Sequence, residues 1–214
     1  MTEPQTGVVA IDGRPLGRRA QETRRRLLDA TQGLLESRSI RDVRVVDIAR
    51  AVGTSPATFY QYFSDVESAV LVLADEVADE LDPIVHLLDE PWRGRAGLDS
   101  ARQLVDSFVS YWDRYRAILR VRNLASEEGD ARFRDVRIRT LSRITDRLRM
   151  QIVAAQTGGR VAPELQAYAA AAGLVAMLER MAAHHVSIED RGLSRADLVE
   201  TLARIIHGTV TGQR

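Results

Sequence analysis

A short run of side chains in the first third of the sequence has types and spacing suited to touching a nucleic acid. Ser55, Thr58, Tyr60, Gln61 and Tyr62 all carry hydrogen-bonding groups, Ala57 lies among them, and Arg44 stands upstream. A glutamine amide can pair with N6 and N7 of adenine, and a threonine can meet a thymine methyl group or a phosphate. The hydroxyls of Tyr60 and Tyr62, the Arg44 guanidinium and the Ser55 hydroxyl are better matched to phosphate oxygens. Such contacts fix position without reading sequence. Ala57 is short enough to let the backbone approach the floor of a groove. The alternative for the two tyrosines is packing against the helices before and after them.

These groups must be held by the stretch Val45 to Phe63, VVDIARAVGTSPATFYQYF. It reads as a short helix, a tight turn and a second short helix. Ile48, Ala49 and Val52 give the first helix an apolar side. Gly53 follows four residues after Ala49, where a residue able to take positive φ closes a turn. Ser55 is a candidate N-cap with Pro56 at the first helical position. Phe59 and Phe63, four apart, face inward and leave the polar set outward. This is the layout of a helix-turn-helix, whose second helix enters the DNA major groove.

Charge supports that reading through its distribution. The 214-residue chain has a formal net charge of zero, yet residues 1–50 hold 10 arginines against 7 acids, and the remainder holds 20 against 23. Positive charge is thus concentrated beside the helix-turn-helix, where phosphates would lie. The absence of cysteine excludes disulfides, thiolate metal sites and cysteine nucleophiles. No run of 18 apolar residues offers a membrane span. The N-terminus lacks the order of a secretory signal, so a cytoplasmic chain is expected. Phosphate loops, Gly-x-Ser-x-Gly and His-Glu-x-x-His are also missing, and the expectation is that the chain is not an enzyme.

Along the rest of the chain, residues 1–17 read as a mobile basic arm and 18–37 as a first helix. With the helix-turn-helix they make a DNA-binding domain over 18–64. Residues 65–214 are expected to form a second domain, opened by a long connecting helix at 65–88 that Pro83 kinks near its end. Further helices are expected at about 98–115, 117–128, 130–157, 163–186 and 194–208, with a loop at 89–97. No stretch alternates with period two, so the fold class is all-α with about nine helices. Phe108, Tyr111, Trp112 and Tyr115 form an aromatic cluster along one helix. With Asn123, Met150, Met177 and Met181 they are the candidate lining of a largely apolar ligand pocket, each also readable as ordinary core. His184 and His185 are adjacent and point about 100° apart, so no metal is assigned. No cofactor is expected. Ala169, Ala172, Gly173 and Ala176 give one helix a face on which another can lie close.

The residues Leu28, Ala30 and Leu34, the Ile48-Ala49 pair, Gly53, and Tyr60 with Phe63 resemble the pattern of the TetR/AcrR family of bacterial transcriptional regulators. The resemblance is specific over roughly residues 24–70. It implies a homodimer, paired through about 164–184 and 194–208, that binds a palindromic double-stranded DNA operator. It further implies a repressor released by a small-molecule effector, expected to be largely apolar. A ligand-independent architectural or activator protein is the alternative. Three positions depart from the family pattern. Arg38-Ser39-Ile40 replaces a glycine turn, Arg44 stands where a threonine or serine usually touches phosphate, and Val66 replaces a phosphate-binding lysine.

Overall fold

The computed structural model describes residues 16–213, which contain nine α-helices and no strand. The arm expected at 1–17 lies, but for its last two residues, outside this range. By compactness the chain divides into two units. The first comprises the chain up to Glu76 together with Ala117–Arg134, and the second comprises Val77–Arg116 and Asp135–Arg214. The first unit thus includes part of a segment expected to belong wholly to the C-terminal domain.

In the first unit, α1 (Arg18–Ser37) buries Leu27, Leu28, Thr31 and Leu35, an i, i+4, i+8 seam with one flanking residue. Thr31 is tolerated there because its hydroxyl donates to the Leu27 carbonyl at 2.8 Å. A 3-10 turn, Ile40–Asp42, follows. Next come α2 (Val45–Val52), which buries Ile48, Ala49 and Val52, and α3 (Pro56–Tyr60). α2 packs on α1 and α3 on α2. Arg26 reinforces the first of these contacts by donating to the Val52 carbonyl at 2.7 Å, one of the carbonyls left open at the end of α2.

The connecting helix is not continuous. α4 runs Val66–Asp79 and a separate α5 runs Asp82–His86. Pro83 explains the break: it has no N–H, and its ring clashes with the carbonyl four residues earlier, that of Asp79, the last residue of α4. α4 starts on a reciprocal cap. The Asp65 carboxylate accepts from the Ser68 amide at 2.6 Å, and the Ser68 hydroxyl accepts from the Asp65 amide at 3.2 Å. Val66 is buried in its first turn, so the position that departs from the family lysine serves the core.

The two helices expected at 98–115 and 117–128 form one element, α6 (Gly94–Glu127). It leaves helical geometry only at Tyr115, where φ is −114° and ψ 17°. The helix also starts earlier than expected. Gly97 lies against the Trp92 backbone, where a Cβ would stand 2.8 Å from the carbonyl carbon. α7 (Ala131–Thr157), α8 (Ala167–Glu189) and α9 (Arg195–Thr211) follow. α8 begins four residues after Pro163, capped by the Gln166 side chain. α9 begins on Ser194, whose hydroxyl accepts from the Asp197 amide at 3.1 Å. No described helix is long and apolar enough to cross a membrane.

Candidate nucleic-acid interface

Local sequence fixes α3 almost completely. Gly53 adopts φ +72° and ends α2, while the Thr54 amide donates back to the Ala49 carbonyl at 2.9 Å. The chain turns, and the Ser55 hydroxyl accepts from the Thr58 amide at 3.3 Å with Pro56 in the first turn. Phe59 is fully buried and Phe63 nearly so, their rings 5.4 Å apart. Arg24 of α1 lies over the Phe63 ring at 5.2 Å. Anchored in this way, α3 can project in only one direction.

Ser55, Ala57, Tyr60 and Gln61 are exposed, whereas Thr58 and Tyr62 are half-buried. Tyr60 is 53% exposed and rests edge-on against Phe59, ring centroids 5.8 Å apart. The regular helix ends at Tyr60, so Gln61 and Tyr62 stand on the turn that follows it. The Thr58 hydroxyl lies 3.2 Å from that of Ser55. Arg44 is exposed at the start of α2. Among the described residues its side chain makes no hydrogen bond or ion pair, which leaves the guanidinium free for a phosphate.

The other nearby arginines are more occupied than the charge count suggests. Arg25 bonds to Asp29 and Glu76, Arg41 pairs with Glu128, and Arg38 and Arg50 lie 3.5 and 3.6 Å from Asp47. Burial holds the Arg24 guanidinium below its ordinary value. Unlike these arginines, Arg44 is left as an available cation beside the helix-turn-helix.

Of the eight residues considered for a ligand pocket, Met150 lines a described groove, and the others are placed as follows. Phe108, Tyr111 and Trp112 are buried core residues of α6. Tyr111 donates its hydroxyl to the Val77 carbonyl at 3.1 Å and stacks edge-on with Tyr115 at 5.4 Å. The Trp112 indole N–H is buried without a hydrogen-bond partner among the described residues. Met177 and Met181 are half-buried on α8. Asn123 falls in the other unit, where it accepts from Arg122 at 3.1 Å. Met150, 57% exposed, lines a groove of about 460 Å³ in the second unit.

That groove was not foreseen. Its floor is Leu88, Trp92, Ala155 and Val210, and three arginines, Arg93, Arg147 and Arg160, stand around it. No sequence motif marks it, because its parts come from four separate stretches. A second unforeseen feature is the polar cluster at His185. This residue is buried, with Nε2 at 2.6 Å from Asp113 and Nδ1 at 3.1 Å from Glu189. Burial opposes ionisation of Asp113, but hydrogen bonds from His185 and Arg116 outweigh it and keep the carboxyl below its usual range. His185 thus joins α6 to α8. No group of residues suited to a metal ion occurs among the described residues.

The comparisons agree with this architecture. Residues 27–68 match the family described as bacterial regulatory proteins, tetR family, and residues 84–214 match the tetracyclin repressor-like C-terminal domain. The HTH-type transcriptional regulator EthR of Mycobacterium tuberculosis is 38% identical over 64 residues. That alignment covers 30% of this chain and 30% of the relative. Among solved structures, the fatty acid degradation regulator FadR from Bacillus halodurans superposes with a TM-score of 0.66 at 18% identity, covering 91% of this chain and 97% of that one. FadR from Bacillus subtilis, solved in complex with stearoyl-CoA, gives 0.63 at 16% identity, with 89% and 99% covered. At such identities the structural likeness speaks for the fold. The family match spans more than half of the sequence, and with the helix-turn-helix geometry it identifies the chain as a member of the TetR family of bacterial transcriptional regulators.

Proposed function

We propose that this regulator acts as a homodimeric repressor, binding a palindromic operator through α3 and leaving it when a small, largely apolar ligand binds the C-terminal domain. The observation that carries the DNA half of this reading is the placement of Tyr60, Gln61, Ser55 and Ala57 on an outward face whose inward side is Phe59. Gln61 and Thr58 are assigned to base edges, and Tyr60, Tyr62, Ser55 and Arg44 to phosphates. The DNA-binding segment is 18–64, and 65–214 carries ligand binding and dimerisation.

Dimerisation is assigned to α8 and α9, which pack on one another. Ala169, Gly173 and Ala176 are exposed along α8, and a side chain added at Gly173 would meet nothing within 4 Å. A stripe this small and this open suits a helix from a second copy. Two recognition helices are then spaced by about one turn of DNA, roughly 34–36 Å or somewhat more. The ligand half rests on the aromatic residues of α6 and on the unpaired Trp112 N–H, a donor that an effector can satisfy. The stearoyl-CoA held by the Bacillus subtilis structural relative is in keeping with an effector that carries a long apolar segment.

The test begins with in vitro selection of the operator, followed by fluorescence anisotropy with wild type and Tyr60→Ala. Loss of binding by a folded, dimeric variant is expected, whereas wild-type affinity would refute the interface. Gly173→Glu is expected to yield monomers in sedimentation experiments. Footprinting with and without candidate ligands separates an inducible repressor from a ligand-independent DNA-binding protein.

A further inference from the structure

The groove in the second unit combines two properties. Its floor is apolar and almost fully buried, with Leu88, Trp92, Ala155 and Val210 each at most 3% exposed. Its rim is cationic. The one carboxylate among its described lining residues, Asp89, is already engaged by Arg147 at 2.7 Å and by the His86 ring at 2.8 Å. These bonds hold Asp89 below the usual carboxylate range. Arg93 and Arg160 make no ion pair among the described residues. Two uncompensated guanidiniums therefore stand over an apolar slot.

The slot is also rigidly framed. The Gln151 amide donates to the carbonyls of Leu88 and Glu90 at 3.1 and 3.2 Å, and its oxygen accepts from the Trp92 amide at 3.0 Å. The Trp92 indole donates to the Leu87 carbonyl at 3.2 Å, and its ring stacks on His207 with centroids 6.5 Å apart. On the far wall, a Cβ at Gly212 would fall 2.0 Å from the Arg160 carbonyl oxygen, so the last turn of α9 closes directly on the Arg160 backbone. A site framed in advance loses little to ordering when it is filled.

We propose that this groove binds an amphiphilic anion: an apolar body on the Trp92 floor and a single carboxylate or phosphate head held by Arg93 and Arg160. A neutral apolar molecule would leave both guanidiniums unpaired, and a compact polar anion would leave the floor uncovered. The volume, about 460 Å³, lies within the range of small-molecule sites, roughly 300–1,000 Å³. The proposal goes beyond the regulator reading, since it holds whether or not the occupant affects DNA.

The test is isothermal titration of the full-length chain with decanoate, decyl phosphate and decanol, all below their aggregation limits. One anion is expected to bind with one site per chain and at least tenfold more tightly than decanol; the tighter of the two identifies the head group. The double variant R93Q/R160Q is expected to weaken that anion at least tenfold. Ala154→Trp, a substitution at an exposed position on the groove wall, is expected to block binding while thermal unfolding stays near that of wild type. Equal affinity for decanol and the anions, unchanged binding by the double variant, or no binding of either anion would each overturn the proposal. None of these readouts involves an operator, so the DNA-binding reading stands or falls separately.

Discussion

Tyr60 and Met150 are exposed to almost the same degree, 53% and 57%, yet they stand on different foundations. Everything that aims Tyr60 lies within a few residues of it: the left-handed Gly53, the Ser55 cap, Pro56 and the buried Phe59. Met150 borders a groove assembled from the α5–α6 connection, the C-terminal half of α7, Arg160 and the last turn of α9. The first site is specified by neighbours in sequence, the second by neighbours in space. Short-range determinants can be altered one at a time, whereas a groove framed by four segments depends on the packing of a whole unit.

The sharpest way to break this contrast is to remove the anchor. Phe59→Ala deletes a fully buried ring and should cost about 3–5 kcal/mol. Such a loss is large against the stability of a small helical unit; it should appear as a lowered urea midpoint together with loss of operator binding. Tyr60→Ala should do the reverse, weakening operator affinity at least tenfold while leaving the unfolding free energy from urea denaturation within about 0.5 kcal/mol of wild type. Met150→Ala, at equal exposure, should change neither. If Met150→Ala weakened DNA binding as Tyr60→Ala does, exposure rather than placement would be the determinant.

Smaller effects test how local the control of α3 is. Gly53→Ala meets no steric obstacle but forces a side chain into φ +72°, at a cost of roughly 1–2 kcal/mol. Ser55→Ala should cost about 1 kcal/mol through loss of the cap. Both are measurable by urea denaturation, and both should weaken operator binding through the turn alone. The weakest effect belongs to the long-range glue of the second unit. Glu200 is pulled down to about 2 by hydrogen bonds from Arg102 and then Arg204, against an ordinary value of 4.5. Because its folded-state value is depressed, its contribution is present above pH 4.5 and lost as the pH falls toward 2. Glu200→Gln should flatten the pH dependence of thermal stability in that window, with a small loss of stability at neutral pH that disappears as the pH falls toward 2.

The same division between local and distant determinants explains what could be read from the sequence. The two helices of the helix-turn-helix, the turn glycine, the cap and the inward phenylalanines were all legible, because each is a local signal with a local cause. The sequence predicts only a kink at Pro83, yet this residue separates α4 from α5, since its ring obstructs the Asp79 carbonyl. The boundary expected between 115 and 117 shrank to a single non-helical residue, Tyr115. The aromatic spacing of α6 correctly marked an inward face, but spacing along one helix carries no information about whether that face meets solvent, ligand or another helix. Arg93 and Arg160 gave no signal at all. They are ordinary surface arginines until Trp92, Ala155 and Val210 come together beneath them.

The route of the chain through its two units bears on how such regulators can be recombined. The first unit is not a contiguous piece of polypeptide: it takes in Ala117–Arg134 from the end of α6 and the start of α7. There Arg41 meets Glu128, and the Asp130 side chain accepts from the Arg132 amide at 2.9 Å as α7 begins. A chimera that grafted only the first 76 residues onto another regulator would bring the recognition helix without the insert it folds with. An exchange that carries both segments keeps the unit whole, so the useful cutting points are the three crossings at 76/77, 116/117 and 134/135.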